Sequence, residues 1–191
     1  LLRARGKAMQ NAVPEGEGGM VAILGSTVDI IEKILKEHGN YNTVEIANDN
    51  SDGQIVLSGK NVDLDKLINV LKNNNIKNIK LPVSAPFHCK LMNKATEVMK
   101  KEIETVNFQD SNICLISNVT ANEIADKNEL KELLIKQIEN RVRWRESVIK
   151  MIEKNIDQFI EIGPGKVLSG LIKRINKSVK INTINNEIDI K

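Results

Sequence analysis

The 191-residue sequence contains few of the residues that mark several specialised protein classes. Its two cysteines, Cys89 and Cys114, have no paired spacing, which excludes a disulfide framework and a four-cysteine zinc site and favours a reducing compartment. Aromatic residues make up 3%, too few for the base-stacking platforms of nucleic-acid binders. Every apolar run is shorter than the roughly 18–20 residues of a membrane span, so we expect no membrane association.

The rest of the composition is that of a globular domain. Hydrophobic residues account for 41% and charged residues for 28%, which is enough to build a core. The formal net charge of +3 is too small to indicate nucleic acid, but it allows a basic patch for an acidic partner. Residues 1–10 resemble the middle or end of a helix and show no signal-peptide pattern. We therefore expect the C-terminal part of a longer protein, with residues 1–14 ending a first core segment.

The hydrophobic pattern of residues 15–83 predicts the order strand, helix, strand, strand, helix, strand. One helix is expected to be capped by Ser26 and closed by Gly39, and residues 48–53 are expected to form a polar turn. This order is that of a ferredoxin-like βαββαβ subdomain. The strands are predicted at residues 20–24, 43–46, 54–57 and 76–83.

Residues 84–191 change to alternating helices and strands, a pattern typical of a parallel sheet. The run at 113–116 predicts a buried strand. We interpret the whole chain as an α/β domain that carries a ferredoxin-like insert and lacks most of its first piece. Further strands are predicted at residues 159–162 and 179–184, and helices at 92–106, 130–138, 144–152 and 168–175.

The two histidines are the first candidates for chemistry. His38 occupies the expected end of a helix, where its charge would interact with the helix dipole, and we assign it a structural role. His88 follows a strand and precedes a helix, where α/β folds present functional groups, and its position alone leaves catalytic and structural roles equally open. Cys89 is its sequence neighbour, and because neighbouring side chains do not face each other, we expect no Cys–His nucleophilic pair.

Two further motifs fail as catalytic signatures. The segment 163–166 suggests a phosphate loop, but Ile160 and Val167 stand where that motif needs glycine and a hydroxyl residue. A tight turn that opens a helix, with the helix N-terminus facing the site, is the better interpretation. No Gly-x-Ser-x-Gly occurs, so the nucleophile elbow of an acyl-transfer enzyme is missing from the sequence. On their own, the cations Lys173 and Arg174 indicate only a solvated helix face.

Several motifs nevertheless occur together in a recognisable order. They are Arg5-Gly-Lys-Ala-Met-Gln10, Ala47-Asn-Asp-Asn-Ser51, Pro82-Val-Ser-Ala-Pro-Phe-His-Cys89, Ser117-Asn-Val-Thr120 and Glu161-Ile-Gly-Pro-Gly-Lys-Val-Leu168. As an ordered set they resemble the malonyl-CoA:acyl carrier protein transacylases over essentially all 191 residues. The resemblance implies an α/β-hydrolase-like acyltransferase core with a ferredoxin-like small subdomain at residues 15–83, the core continuing over 84–191.

The resemblance also implies roles for individual residues. His88 would be the general base for a serine nucleophile, and the backbone carbonyl of Gln137 would hold its imidazole in the correct tautomer. Arg5 would pair with the free carboxylate of the malonyl group, which a guanidinium fork suits. Met9 would line the acyl pocket, and Phe87 would crowd a 2-methyl branch.

The implied reaction moves a malonyl group from malonyl-CoA to the phosphopantetheine thiol of acyl carrier protein, in fatty acid biosynthesis, through a serine ester. Lys173 and Arg174 would help to dock the acidic carrier protein, and no cofactor or metal is implied. The serine and the oxyanion donors are expected outside this chain, which would be inactive alone. We also expect a monomer when full length, in the cytoplasm or in an organelle matrix.

Two other functions are alternatives to the transacylase. The first is a non-catalytic module that binds acyl carrier protein, which an upstream Gly-His-Ser-x-Gly would exclude. The second is an RNA-binding module, because βαββαβ is also the topology of RNA-recognition domains. The predicted strands contain no aromatic residue for base stacking, which argues against that module.

Overall fold

The computed structural model describes residues 1–37 and 41–190. The chain begins with α1 (Leu2–Gln10) and continues through β1 (Gly18–Leu24), α2 (Val28–Glu37), β2 (Glu45–Ser51), β3 (Gln54–Lys60), α3 (Asn61–Asn73) and β4 (Lys77–Lys80). The second half contains α4 (Asn93–Glu104), β5 (Leu115–Ile116), β6 (Glu123–Ile124), α5 (Lys127–Lys136), α6 (Trp144–Glu153), β7 (Gln158–Ile162), α7 (Val167–Ile175) and β8 (Lys180–Ile184).

Strands β1 to β4 form an antiparallel sheet in the order β2-β3-β1-β4. One face is covered by α2 and α3, whose apolar stripes pack on alternate residues of the central strands. Leu64, Leu67 and Leu71 of α3 are almost fully buried there, and each contributes about 1.5–3 kcal/mol. The order of elements is the one predicted for residues 15–83.

The start of α2 differs from the prediction. Thr27 supplies the cap, because its Oγ1 accepts the N–H of Ile30 at 3.4 Å. Ser26 is 4% exposed, and its hydroxyl has no hydrogen-bond partner among the described residues. The turn at Gly25, with φ of 76° and its N–H bonded to the Gly53 carbonyl, displaces the helix start by one residue. The predicted closing residue, Gly39, and His38 lie outside the described residues.

Strand β2 is longer than predicted, and β4 is shorter. The polar segment predicted as a turn continues β2 as far as Ser51, and the chain reverses at Asp52 and Gly53. The pairing of β2 with β3 is irregular at two points, and its polar groups find partners on other elements. Strand β4 ends at Lys80, since Pro82 has no N–H to continue a ladder.

The second half contains a βαβ unit in which β7 and β8 pair in parallel across α7. Helices α6 and α7 cover one face of this pair around Val148, Ile172 and Val179. The prediction of a buried strand at residues 113–116 is wrong. Only the last two residues pair, antiparallel to β6, and Ile113 is 80% exposed because no described residue covers it.

Helix α1 packs on α4, so the first ten residues join the second half of the chain. Their shared cluster includes Met9, Met92, Met99 and Ile138. The domain boundaries at residues 14 and 83 stay predictions. Within residues 1–37 and 41–190, every helix is too short or too polar to traverse a bilayer.

Candidate functional site

His88 lies in the loop after β4, and its backbone has φ of 60°, in the left-handed region that few non-glycine residues adopt. The residue is half-buried, and its Nδ1 lies 2.8 Å from the backbone oxygen of Gln137. A carbonyl oxygen can only accept, so Nδ1 donates its proton in this bond. In the neutral ring, Nε2 is therefore left as a proton acceptor. The predicted contact between the two residues is present.

The acceptor carbonyl belongs to the C-terminal end of α5. The last carbonyls of a helix have no partner within the helix, so the one at Gln137 is available to an outside donor. The side-chain amide of Gln137 donates to the Asn140 oxygen at 2.9 Å and stabilises the turn that follows. At the other end of α5, Asp126 accepts two backbone N–H groups and fixes the helix start. Gln137 thus contacts His88 through its backbone carbonyl and not through its side chain.

The surroundings of His88 favour its neutral form. Burial lowers its pKa, because the imidazolium loses hydration. The Gln137 carbonyl opposes this change, and the positive charge of Arg5 lowers the pKa further. A general base must be unprotonated at working pH, and this environment favours that form.

Arg5 is half-buried on α1, and its charge is close enough to act on His88. Burial lowers the pKa of its guanidinium. None of the carboxylates among the described residues forms an ion pair with it. A partly desolvated cation of this kind is a suitable partner for the carboxylate of a ligand.

The Cys89 thiol makes its hydrogen bonds with Pro86 and Ser58 and none with His88. Its thiol donates to the Pro86 oxygen at 3.1 Å and accepts from the Ser58 hydroxyl at 3.6 Å, beneath β3. Burial raises the pKa of this thiol, so it stays protonated and unreactive at neutral pH. This geometry agrees with the expectation that Cys89 and His88 do not form a nucleophilic pair.

A cleft of about 480 Å3 opens at His88. Its walls come from α2, the start of β2 and the loop after α5. Two cations in this wall form ion pairs with glutamates that also line the cleft. The Nζ of Lys90 lies 3.5 Å from Glu45, and Nη1 of Arg141 lies 3.6 Å from Glu32.

Met9, Phe87 and Arg5 lie outside the lining of this cleft. Met9 is buried in the apolar cluster around Met92 and Ile138. Phe87 is half-buried between that cluster and the underside of the four-stranded sheet. The structure therefore places the two apolar side chains in a packed layer beside His88, and their predicted roles toward an acyl group stay predictions.

Lys173 and Arg174 are exposed in the last turn of α7. The Lys173 ammonium donates to the Lys177 oxygen at 2.6 Å, and Arg174 donates to the Gln54 side chain at 2.5 Å. Both side chains thus have contacts with other residues while they remain exposed at the surface. Their role in docking stays a prediction.

The tight turn predicted before α7 is present, and a side chain of the preceding strand bonds to the N-terminus of this helix. The carboxylate of Glu161 accepts the N–H groups of Leu168 at 3.1 Å and Ser169 at 2.7 Å. The hydrogen bonds from Ser169 lower the pKa of this carboxyl group. The turn that joins β7 to α7 has φ of 137° at Gly163. It brings the Glu161 carboxylate to the N-terminus of α7, the positive end of the helix dipole.

Sequence reasoning missed the residues that join the four-stranded sheet to the site. The Arg145 guanidinium forms a forked ion pair with Asp49. Its Nε lies 3.1 Å from Oδ1 and 3.0 Å from Oδ2, and its Nη2 lies 2.9 Å from Oδ2. The Lys90 N–H donates to Glu45 at 2.7 Å. Val142 pairs with the outer edge of β2. These partners are 45 or more residues apart, so no local pattern could reveal them.

Comparison with known proteins adds independent findings. Residues 1–187 match the acyl transferase domain family. The malonyl CoA-acyl carrier protein transacylase of Bacillus subtilis is 42% identical over 183 residues, covering 94% of this chain and 57% of the relative. The crystal structure of the corresponding Clostridium perfringens transacylase has a TM-score of 0.95 at 41% identity, covering 99% of this chain and 60% of that one.

A further solved structure contains a carrier protein. It is described as a type II PKS acyl-carrier protein in complex with its malonyl-transacylase, and it matches with a TM-score of 0.91 at 33% identity over 98% of this chain. The chain spans 62% of that structure's length, and about 60% of the length of the other relatives it matches.

Proposed function

The chain belongs to the acyl transferase domain family, and on that basis we propose that the protein transfers a malonyl group from malonyl-CoA to the phosphopantetheine thiol of an acyl carrier protein. The observation that carries the proposal is the bond from His88 Nδ1 to the Gln137 oxygen, with the charge of Arg5 nearby. The names of the relatives support the choice of acyl donor and acceptor.

His88 acts as the base in both halves of the reaction. In the first half, Nε2 takes the proton of a serine hydroxyl as its oxygen attacks the malonyl thioester, and the imidazolium returns the proton to the departing CoA thiolate. In the second half, Nε2 takes the proton of the carrier thiol as its sulfur attacks the serine ester. The proton then returns to the serine. No Gly-x-Ser-x-Gly occurs in the 191 residues, so the serine is expected outside them.

The other residues select and orient the substrates. The Gln137 carbonyl fixes the tautomer without placing a full charge beside the ring. Arg5 pairs with the malonyl carboxylate, and Met9 and Phe87 form the apolar side of the acyl site, where Phe87 disfavours a 2-methyl branch. Residues that would bind a cofactor are not required, because a side-chain base and a serine suffice.

The docking and fold assignments belong to the same proposal. Lys173 and Arg174 contact the acidic carrier protein. We assign the four-stranded sheet to the ferredoxin-like class, supported by its order β2-β3-β1-β4, and the remainder to an α/β-hydrolase-like core. A monomeric state and a location in the cytoplasm or an organelle matrix stay predictions.

The test is malonyl transfer by the complete protein to a holo-acyl carrier protein, followed by mass spectrometry of the carrier. Replacing His88 by Ala is expected to lower kcat/KM by about 10²–10⁴-fold, the usual contribution of a general base. Cys89→Ala is the matched control, and it should retain activity. A His88→Ala variant within twofold of the parent contradicts the assignment. If the parent binds the carrier without transferring malonyl, the carrier-binding module becomes the better function.

A further inference from the structure

The backbone at His88 needs support from its surroundings. Its φ of 60° is unfavourable for a residue with a Cβ, and such a conformation persists only where neighbouring contacts hold it. One residue later the short 3-10 turn Lys90–Met92 begins, and the residue at its N-cap position, Cys89, makes no side-chain capping bond. The first N–H groups of such a turn have no partner within the turn.

Glu45 supplies the missing partner from another element. Its Oε2 accepts the backbone N–H of Lys90 at 2.7 Å, the short distance typical of a charge-assisted bond. The contact between its other oxygen and the Lys90 ammonium is longer, at 3.5 Å, and that ammonium belongs to a side chain that is 86% exposed. An exposed pair of this kind stabilises little, so the backbone bond is the important contact.

The strand that carries Glu45 also holds the segment that follows the His88 acceptor. On the outer edge of β2, the N–H of Val142 donates to the Ala47 oxygen at 2.7 Å. The N–H of Asp49 donates back to the Val142 oxygen at 2.9 Å. The donor and the acceptor of the imidazole bond are therefore both tied to one strand, the donor through Glu45 and the acceptor through the loop after Gln137.

We propose that Glu45 is a positioning residue for His88. Its carboxylate holds the backbone after the histidine so that Nδ1 stays on the Gln137 carbonyl and Nε2 faces the reacting groups. The benefit for malonyl transfer rests on the proposed function above, while the effect on the imidazole does not. Glu45 itself touches neither the ring nor, in this proposal, the substrate.

The test reads the imidazole directly in the complete protein. Nitrogen chemical shifts distinguish the two neutral tautomers, and the His88 signals are assigned by their loss in His88→Gln. The parent should show the Nδ1–H tautomer. In Glu45→Ala the Nε2–H form, which a solvated ring prefers, should increase several-fold. Glu45→Gln should restore the parent spectrum, because an amide oxygen can accept the same N–H.

Two controls isolate the backbone bond. Lys90→Ala removes the ammonium and keeps the N–H, so the tautomer should not change. Glu97→Ala removes a carboxylate that pairs with Lys100 on the exposed surface of α4, and it should change neither the tautomer nor the activity. If Glu45→Ala does not fold, Glu45→Asp replaces it, since the shorter side chain should also fail to reach the N–H.

Kinetics separate this inference from the function on which it rests. In Glu45→Ala, kcat should fall about tenfold while KM for malonyl-CoA stays within about twofold, because the base is misaligned and binding is intact. An unchanged tautomer in Glu45→Ala overturns the inference, whatever the activity. A shifted tautomer in a protein that never transfers malonyl overturns the proposed function and leaves the role of Glu45 standing.

Discussion

At the scale of single residues, the acceptor of the His88 proton is a neutral carbonyl and not a carboxylate. A carboxylate would stabilise the imidazolium strongly, whereas a carbonyl orients the ring with a smaller effect on its pKa. Burial and Arg5 then both lower the pKa of His88. The site thus combines a fixed tautomer with an imidazole whose pKa lies below its usual value.

The charge of Arg5 predicts a change in the pH profile. Replacing Arg5 by Ala removes a positive charge that lowers the pKa of His88, so that pKa should rise. The acidic limb of kcat/KM should move to higher pH, because His88 becomes protonated earlier as the pH falls. The profile is measured with acetyl-CoA, which lacks the carboxylate that Arg5 would bind. A limb that stays in place or moves to lower pH contradicts this account.

The same substitution predicts a change in substrate choice. Without Arg5, the malonyl carboxylate loses its partner, and transition-state binding of malonyl-CoA should weaken by about 2–5 kcal/mol. Use of acetyl-CoA should suffer far less, so the ratio of the two kcat/KM values is the measurement. Arg3→Ala, on the same helix, is the control. Equal losses for both substrates would refute a carboxylate-pairing role.

At the scale of elements, β2 shows how far a local sequence can predict structure. Strands β1 and β3 could be predicted, because apolar runs bounded by turns are buried against helices. The polar end of β2 resembles a turn in sequence, but in the structure it is strand. Its Asp49 carboxylate is paired with Arg145, which lies 96 residues away along the chain. The prediction of a buried strand at 113–116 is wrong for the opposite reason. These residues are apolar, but an apolar segment is buried only where other residues cover it.

The candidate site, too, could be predicted only in part from the sequence. His88 could be placed at a strand end from the pattern alone, but its role and its contact with Gln137 came from the resemblance. Glu45 and Asp49 left no signal, because a strand carboxylate and a surface carboxylate look alike in sequence. Their significance depends on backbone N–H groups and a guanidinium that only the fold brings near.

The ion pair between β2 and α6 predicts a difference between two nearby aspartates. The Asp49 side chain is 3% exposed and accepts a forked bond, while Asp52 is 75% exposed and lies 3.7 Å from the same guanidinium. Breaking a buried pair costs about 3–5 kcal/mol, and because Arg145 is 29% exposed and can regain water, Asp49→Ala should cost about 1–3 kcal/mol. Asp52→Ala should cost less than about 0.5 kcal/mol.

Urea unfolding of the complete protein measures both values. The unfolding midpoint should shift clearly for Asp49→Ala and hardly at all for Asp52→Ala. Arg145→Ala should cost at least as much as Asp49→Ala, because it leaves the buried Asp49 carboxylate without its partner. Similar shifts for the two aspartates would mean that the forked bond does not join the sheet to α6.

At the scale of the whole molecule, the site is assembled from three distant parts of the chain. Arg5 comes from α1, His88 from the loop after β4, and the Gln137 carbonyl from the end of α5. The sheet and the second half meet along β2, and each contributes contacts that fix the histidine. In the proposed function a carrier protein would deliver its thiol to this junction, and the net charge of only +3 on these 191 residues would attract an acidic partner weakly. We therefore expect local basic pairs to determine where such a partner would dock.

The basic pair at the end of α7 predicts a salt-dependent defect in carrier docking. Reversing both charges, with Lys173→Glu and Arg174→Glu, should slow association with the acidic carrier protein about tenfold at low ionic strength, because steering raises the rate of encounter. The control reverses Lys100 and Lys101, an adjacent exposed pair on α4. Stopped-flow association in rising salt is the measurement, and the two variants should converge above about 0.5 M, where charges are screened within a few ångströms. Lys173 also donates to the Lys177 oxygen after the end of α7, and Arg174 donates to the Gln54 side chain. Thermal unfolding of each variant therefore separates a docking defect from a folding defect. An unchanged association rate at low salt in a stably folded variant would remove this surface from the carrier interface.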